Sequence, residues 1–277
     1  MKIVTDTSAL YTPAQGQEMG IEVLPLNVIV NKKSYKEFVD IQSDEFLEMV
    51  RHGAVPSSSQ PSIGETMEVF EKYEDEDILS ICMADGLSGT YQSTLSVKEN
   101  MENNDRIHVI NSMTLCGPQR YLVQKAVRLR DEGLSVHDIV KELHKSIAGE
   151  KSFLIPQDFG FLKRGGRLTP LAATVGGMLK ITPIMTKTKD GKRLEKFAMK
   201  KTFKSAIKEI IKAFQEMELD ENYIIYVSHA GVLEQAQAVV EQMKAAFENV
   251  KIELYDLSPA FITQGGPGCL AVQTIRM

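Results

Sequence analysis

Apolar residues in this chain follow two alternating rhythms. Short, nearly continuous apolar runs at 3–5, 23–30, 78–83, 107–111, 152–155, 181–186, 224–228, 251–257 and 270–275 are bounded by polar turns. Runs of that kind predict strands buried on both faces of an α/β sheet. Between them lie stretches with helical spacing. Behind Ser135, the apolar positions Val136, Ile139, Val140, Leu143 and Ile147 share one helix face. Ala236, Val239, Val240, Met243 and Phe247 repeat the pattern after Leu233. The alternation predicts an α/β fold with helices layered on sheets. Asp190-Gly191, set between 181–187 and 194–197, is a hairpin signal and predicts an antiparallel corner in the second half.

Length adds a division. A chain of 277 residues favours two compact domains over one core. The polar link Ala148-Gly149-Glu150-Lys151 follows the helix that starts at Ser135, so the predicted boundary separates 1–149 from 150–277. No stretch approaches the roughly 20 apolar residues of a membrane span; the run at 21–30 is interrupted by Glu22, Pro25 and Asn27. Asp6 breaks what would be the apolar part of a signal peptide, so a cytoplasmic location is expected. Cys82, Cys116 and Cys269 are odd in number and far apart, which suits free thiols. A net charge of −5 argues against a nucleic-acid partner, and Lys200-Lys201-Thr202-Phe203-Lys204 reads as a solvated helix start. Neither a metal-ligand spacing nor a GxGxxG fingerprint is found, so no metal and no cofactor is expected.

Two stretches stand out for their hydroxyls: Pro56-Ser57-Ser58-Ser59-Gln60-Pro61-Ser62 and Leu87-Ser88-Gly89-Thr90-Tyr91-Gln92-Ser93. Each precedes a helical pattern, so each is expected to set hydroxyls and free backbone N–H groups at a helix start, where an anion binds. Ser62-Ile63-Gly64-Glu65 fits a capping box, which accounts for Ser62 but leaves Ser57, Ser58 and Ser59 unexplained. Those three serines are either a polar surface turn or a hydroxyl cluster aimed at a carboxylate or phosphate. Gly86 and Gly89 bracket Leu87-Ser88 and permit a bend that exposes N–H groups.

The second half offers further candidates. Phe161-Leu162-Lys163-Arg164-Gly165-Gly166-Arg167 could clamp an anion, pin an exposed loop or face an acidic protein partner. It is not a P-loop. Thr169–Leu179, including Leu171, Val175 and Met178, is almost uncharged and predicts either a buried helix or a wall of an apolar tunnel. The chain's 13 methionines favour adaptable apolar surface. Phe261-Ile262-Thr263-Gln264-Gly265-Gly266-Pro267-Gly268 leads into the last strand. His229 ends a strand and could serve as a base, which keeps open a serine-dependent hydrolase or transferase with Ser88 or Ser59 as nucleophile.

Taken in order, these stretches resemble the DegV family of bacterial fatty-acid-binding proteins. The resemblance runs nearly end to end, through Ile3-Val4-Thr5-Asp6-Thr7-Ser8, Ser58-Ser59-Gln60-Pro61-Ser62, Leu87-Ser88-Gly89-Thr90-Tyr91-Gln92-Ser93, Leu162-Lys163-Arg164-Gly165-Gly166-Arg167, Thr182-Pro183-Ile184 and Gly266-Pro267-Gly268. It implies two α/β domains with a long-chain fatty acid in a tunnel between them. It also implies a carrier role, in which the protein catalyses nothing itself and presents the acid to the catalytic subunit of a fatty-acid kinase, with transient membrane contact. Carried across by motif, the carboxylate site falls on Ser58 or Ser59 and on Ser88, with Gly89, Thr90 and Gln264 beside them. Arg164 and Arg167 correspond to a signature near the acid group and the kinase-facing surface. Leu171, Val175, Met178, Ile184 and Phe261 are the implied tunnel-lining or partner-facing residues. The family often has threonines where Ser57 and Ser58 stand. Gln264 replaces a usual histidine and cannot titrate, and Lys201 replaces an arginine and loses its bidentate fork.

Overall fold

The computed structural model describes residues 1–174 and 181–277. In chain order its strands are β1 (Lys2–Asp6), β2 (Glu22–Leu24), β3 (Asn27–Val30), β4 (Lys33–Lys36), β5 (Ser57–Ser59), β6 (Ile78–Cys82) and β7 (Ile107–Asn111). They continue as β8 (Lys151–Ile155), β9 (Thr182–Lys187), β10 (Leu194–Lys200), β11 (Tyr223–His229), β12 (Lys251–Asp256) and β13 (Leu270–Arg276). The α-helices are α1 (Pro13–Glu18), α2 (Ser43–Arg51), α3 (Ile63–Lys72), α4 (Thr90–Glu99), α5 (Gly117–Asp131) and α6 (Val136–Ala148). After these come α7 (Phe159–Gly165), α8 (Pro170–Ala173), α9 (Phe203–Glu216), α10 (Leu233–Ala246) and α11 (Pro259–Gly265).

Among the described residues the strands form three sheets. A parallel sheet runs β2-β1-β6-β7, a mixed six-stranded sheet runs β10-β9-β8-β13-β11-β12, and a small antiparallel sheet runs β4-β3-β5. The antiparallel pairing of β9 with β10 is the corner that Asp190-Gly191 signals.

Two expectations need correction. The run at 23–30 is not one strand. Glu22–Leu24 pairs in parallel with β1, whereas Asn27–Val30 pairs with β4 and β5 in another sheet. Pro25 lies between them, and a residue without an N–H cannot carry a ladder onward. The first serine stretch is likewise not a helix start. Ser57, Ser58 and Ser59 pair with Ile29, Val28 and Asn27 as an edge strand, and Ser62 alone caps α3, accepting the Glu65 N–H at 3.1 Å.

The largest packing feature joins the two big sheets. Ile3, Leu79 and Ile81 of the parallel sheet, Leu122, Val123 and Ala126 of α5, and Ile224, Tyr226 and Ile275 of the six-stranded sheet belong to one contiguous buried cluster. Helix α5 is therefore a shared filling. Gly117 at its start has no Cβ because one would collide with the Tyr226 ring. A second cluster, including Phe153, Ile184, Ile207, Phe214 and Val239, fills the opposite face of the six-stranded sheet under α9 and α10. Burying each such aliphatic side chain contributes about 1.5–3 kcal/mol. The face of that sheet turned toward the parallel sheet is covered in part by α5 and in part by loops, and there the packing leaves room.

Candidate ligand-binding site

An apolar cavity of about 110 Å³ lies on this face of the six-stranded sheet. Its floor comes from alternate residues of adjacent strands, Leu154 of β8, Ala271 of β13, Met185 of β9 and Leu194 of β10. Its roof comes from Met83 and Leu87 after β6, Leu115 and Cys116 before α5, Leu162 of α7 and Phe261 of α11. Cys269 also lines it, and burial pushes that thiol up to about 12, so it behaves as a small apolar group.

A second, more polar cavity of about 270 Å³ adjoins the first. The two share Met83, Leu87, Arg167, Phe261 and Gln264, so they form one space with a mouth and an interior. Ser58, Ser59, Gln60, Ser88 and Gly89 line the mouth. The Ser58 hydroxyl accepts a hydrogen bond from Gln264 Nε2 at 3.0 Å. The Ser88 hydroxyl lies 2.8 Å from that of Thr90 and accepts the Thr90 N–H at 3.3 Å, at the start of the ten-residue helix α4. Gln264 Oε1 is buried without a partner, and Gly165 gives it space that a Cβ would occupy.

Arg167 stands where mouth and interior meet. Its Nε donates to the Leu87 carbonyl at 3.1 Å and its Nη1 to the Gly165 carbonyl. Among the described residues its side chain forms no ion pair. A half-buried guanidinium with only neutral acceptors leaves a positive charge at the junction without a counter-charge.

Two buried carboxyl groups hold the walls in place. Asp6 accepts the Met83 N–H at 3.1 Å and the Ser8 N–H at 3.0 Å, fixing the loop that carries Leu87 and Ser88. Burial pushes its carboxyl above the ordinary range, against these hydrogen bonds and those from the Ser8 and Gln119 side chains. Glu37 accepts from the Thr7 hydroxyl and, at 2.8 Å, from the Ala260 N–H, which ties it to the first turn of α11. Burial pushes Glu37 up to about 7.

Of the residues singled out in the sequence, Ser58, Ser59, Ser88, Gly89, Gln264, Arg167 and Phe261 converge on this space. Thr90 is buried directly behind Ser88. Arg164 is exposed and stacks on Phe161, 4.5 Å from the ring centroid. Leu171 is 77% exposed and lines neither cavity. Ile184 packs into the opposite face of the sheet, and by strand alternation its neighbour Met185 reaches the cavity. Val175 and Met178 lie outside the described residues. Lys201 is exposed ahead of α9 and lines neither cavity. His229 also lines neither cavity. It is buried, with Nδ1 3.4 Å from Asp256 Oδ1, while the Ser88 hydroxyl is engaged with Thr90. The serine–histidine arrangement that a hydrolase requires is not assembled. Met83, Leu115, Met185 and Gln273 were missed, because nothing local in the sequence tells which face of a buried strand or which turn of a loop meets a cavity.

No helix among the described residues is long and apolar enough to cross a membrane, and no group of three metal-ligating side chains is found there. The family model described as "Uncharacterised protein, DegV family" matches residues 1–277. A DegV domain-containing protein of Halalkalibacterium halodurans is 30% identical over 276 residues, covering 98% of this chain and 96% of its own. The crystal structure of DegV from Bacillus subtilis, described as a fatty acid binding protein, is similar with a TM-score of 0.87 and 28% identity, covering 100% of this chain and 99% of that one. A DegV family protein from Thermus thermophilus, described by its fatty acid binding, reaches a TM-score of 0.90 at 26% identity, covering 100% and 99%.

Proposed function

The chain belongs to the DegV family, and we propose that it binds one long-chain fatty acid, carboxylate in the serine-lined mouth and tail in the apolar cavity. The observation that carries the reading is the junction. A single space changes from apolar to polar at Arg167, whose charge has no counter-ion among the described residues. The description of the Bacillus subtilis and Thermus thermophilus structures as fatty acid binding supports it.

The division of labour follows from magnitudes. Burying about 15 methylenes offers on the order of 12 kcal/mol before ordering costs. A hydrogen bond to a charged group contributes about 1.5–3 kcal/mol. The tail thus supplies affinity. The hydroxyls of Ser58, Ser59 and Ser88, the Gly89 N–H, Gln264 Nε2 and Arg167 orient the acid and reject ligands without one. Thr90 holds Ser88 in place. We read the protein as a cytoplasmic carrier that catalyses nothing itself; among the described residues His229 lines neither cavity, so no histidine stands beside Ser58, Ser59 or Ser88 there. It presents the acid to a kinase catalytic subunit, with transient membrane contact for loading. Lys163 and Arg164, exposed beside the mouth's arginine loop, supply positive charge for an acidic partner.

Titration of delipidated protein with hexadecanoic acid and with the matching alcohol tests the reading. The acid is expected to bind about tenfold or more tightly than the alcohol. Equal affinities would remove the carboxylate site, and no binding of either would remove the lipid reading.

A further inference from the structure

Two glycines at the mouth are not required by their backbone. Gly89 has φ −78° and ψ 0°, a conformation open to any residue, unlike Gly86 at φ 85°. Gly165 lies inside α7, and the left-handed residue that ends this helix is Gly166. Space explains both. A Cβ on Gly89 would stand 2.1 Å from Gln60 Oε1, and a Cβ on Gly165 would stand 2.1 Å from Gln264 Oε1. In each pair the amide nitrogen is farther off, 3.7 Å at Gly89 and 4.0 Å at Gly165. Two glutamines of the mouth thus seat their carbonyl ends in glycine notches on other segments of the chain.

A notch of this kind orients the amide. The glycine Cα–H that takes the place of Cβ faces the oxygen, a weak C–H···O contact that an N–H group could not make. The nitrogen is left on the side away from the glycine. Gln264 Nε2 donates to the Ser58 hydroxyl at 3.0 Å, and its Oε1 is sealed in. Gln60 differs. It is half-buried and lines the mouth, yet among the described residues its side-chain amide bonds no protein group; only its backbone carbonyl does, accepting from Asn27 Nδ2 at 3.3 Å. That bond holds its backbone, and the buried Pro61 that follows confines it to extended conformations. A side-chain amide held in this way, with both N–H groups unspent, is a pre-organised donor pair.

We propose that Gln60 is a direct ligand of the bound carboxylate, donating from Nε2, and that Gly89 is a positioning residue that keeps this amide in place. The inference rests on the acyl-chain reading above. A carboxylate has two oxygens and about four lone-pair directions, enough for Gln60 together with Ser88 and Arg167. An alcohol oxygen carries no charge, so the same donor contributes less to it. The interlock also gives the two hydroxyl-rich stretches a physical connection. Gln60 belongs to the first and Gly89 to the second, and the amide of one fills the notch of the other.

The test is calorimetric titration of the delipidated full-length chain with hexadecanoic acid and the matching alcohol. Gln60→Ala is expected to weaken the acid about five- to tenfold and the alcohol by less than about twofold. Gln60→Glu, nearly the same in shape, sets a carboxylate against that of the ligand and should weaken the acid about 100-fold, with the alcohol again little changed. Gly89→Ala displaces the amide and should weaken the acid about as much as Gln60→Ala. In the double variant Gln60→Ala/Gly89→Ala the loss is expected to match that of Gln60→Ala alone, because no amide remains to displace. Losses that multiply would overturn the positioning role of Gly89. Equal losses for acid and alcohol in Gln60→Ala, or no loss for the acid, would overturn Gln60 as a ligand and the inference with it. If Gly89→Ala does not fold, the two Gln60 variants still decide whether Gln60 binds the acid. An unaltered protein that binds no acid would sink the fatty-acid reading and this inference together. A preference for acid over alcohol that Gln60→Ala leaves intact would remove this inference alone.

Discussion

The mouth and the floor of this cavity are built by opposite means. The floor is one face of a continuous sheet, with Leu154, Ala271, Met185 and Leu194 each fixed by ladder hydrogen bonds to a neighbouring strand. The mouth is assembled from chain segments far apart in sequence: Ser58 on an edge strand, Ser88 and Gly89 at a helix start, Arg167 after α7, and Gln264 on α11. A floor of that kind responds to volume and tolerates exchange among apolar residues. A mouth of that kind responds to single atoms and to the buried groups that hold its segments together. Affinity and selectivity are therefore separable by mutation.

The largest effect belongs to the floor. Ala271→Phe fills the space over the apolar row, and the affinity for long-chain acids is expected to fall by about 100-fold or more, equivalent to a few lost methylenes. Short-chain acids should lose much less. Similar losses for both lengths would mean that the tail runs elsewhere. Next comes the junction. Arg167→Met is expected to cost about 10- to 100-fold in acid binding while leaving the matching alcohol within a few fold, as measured by titration. Ser88→Ala should be smaller, about three- to tenfold for the acid, with less change for the alcohol. Equal losses in the acid and the alcohol would reject a carboxylate-orienting role for Ser88.

The smallest effect on binding, and a separate one on stability, belongs to the support beneath the mouth. Glu37 is raised from an ordinary value of 4.5 to about 7, mainly by burial. A raised carboxyl holds its proton in the folded state when the unfolded chain has already released it, so stability declines as pH rises from about 4.5 to about 7. The full contribution is on the order of 3 kcal/mol. Glu37→Gln keeps an acceptor for the Ala260 N–H and does not titrate. Denaturant unfolding across this range should show a shallower decline for the variant, with acid binding at low pH changed little. An unchanged slope would place the titration elsewhere.

The sequence made the scaffold more legible than the floor. Buried strands announced themselves as apolar runs, and the family resemblance tied together motifs that local chemistry could not connect. Strands β4 and β5 escaped because Lys33–Lys36 and Ser57–Ser59 have no apolar pattern. They are strands only because both edges of β3 were free to pair. The polar mouth was legible in part: the hydroxyl-rich stretches pointed to Ser58, Ser59 and Ser88, but Ser57–Ser59 form an edge strand and not the helix start expected of them. Ile184 and Met185 show where reading ends. Both lie in one apolar run, and which of the two meets the cavity depends on what covers each face of the sheet. Gln273 was unreadable for the same reason, since a lone glutamine in a strand gives no sign of the face it lines.

Native mass spectrometry of the protein purified without delipidation tests the central claim most directly. The account predicts one bound molecule per chain with the mass of a long-chain fatty acid, displaced on adding excess acid and much reduced in Ala271→Phe. A spectrum with only the bare chain, unchanged after incubation with added long-chain acids, would contradict it.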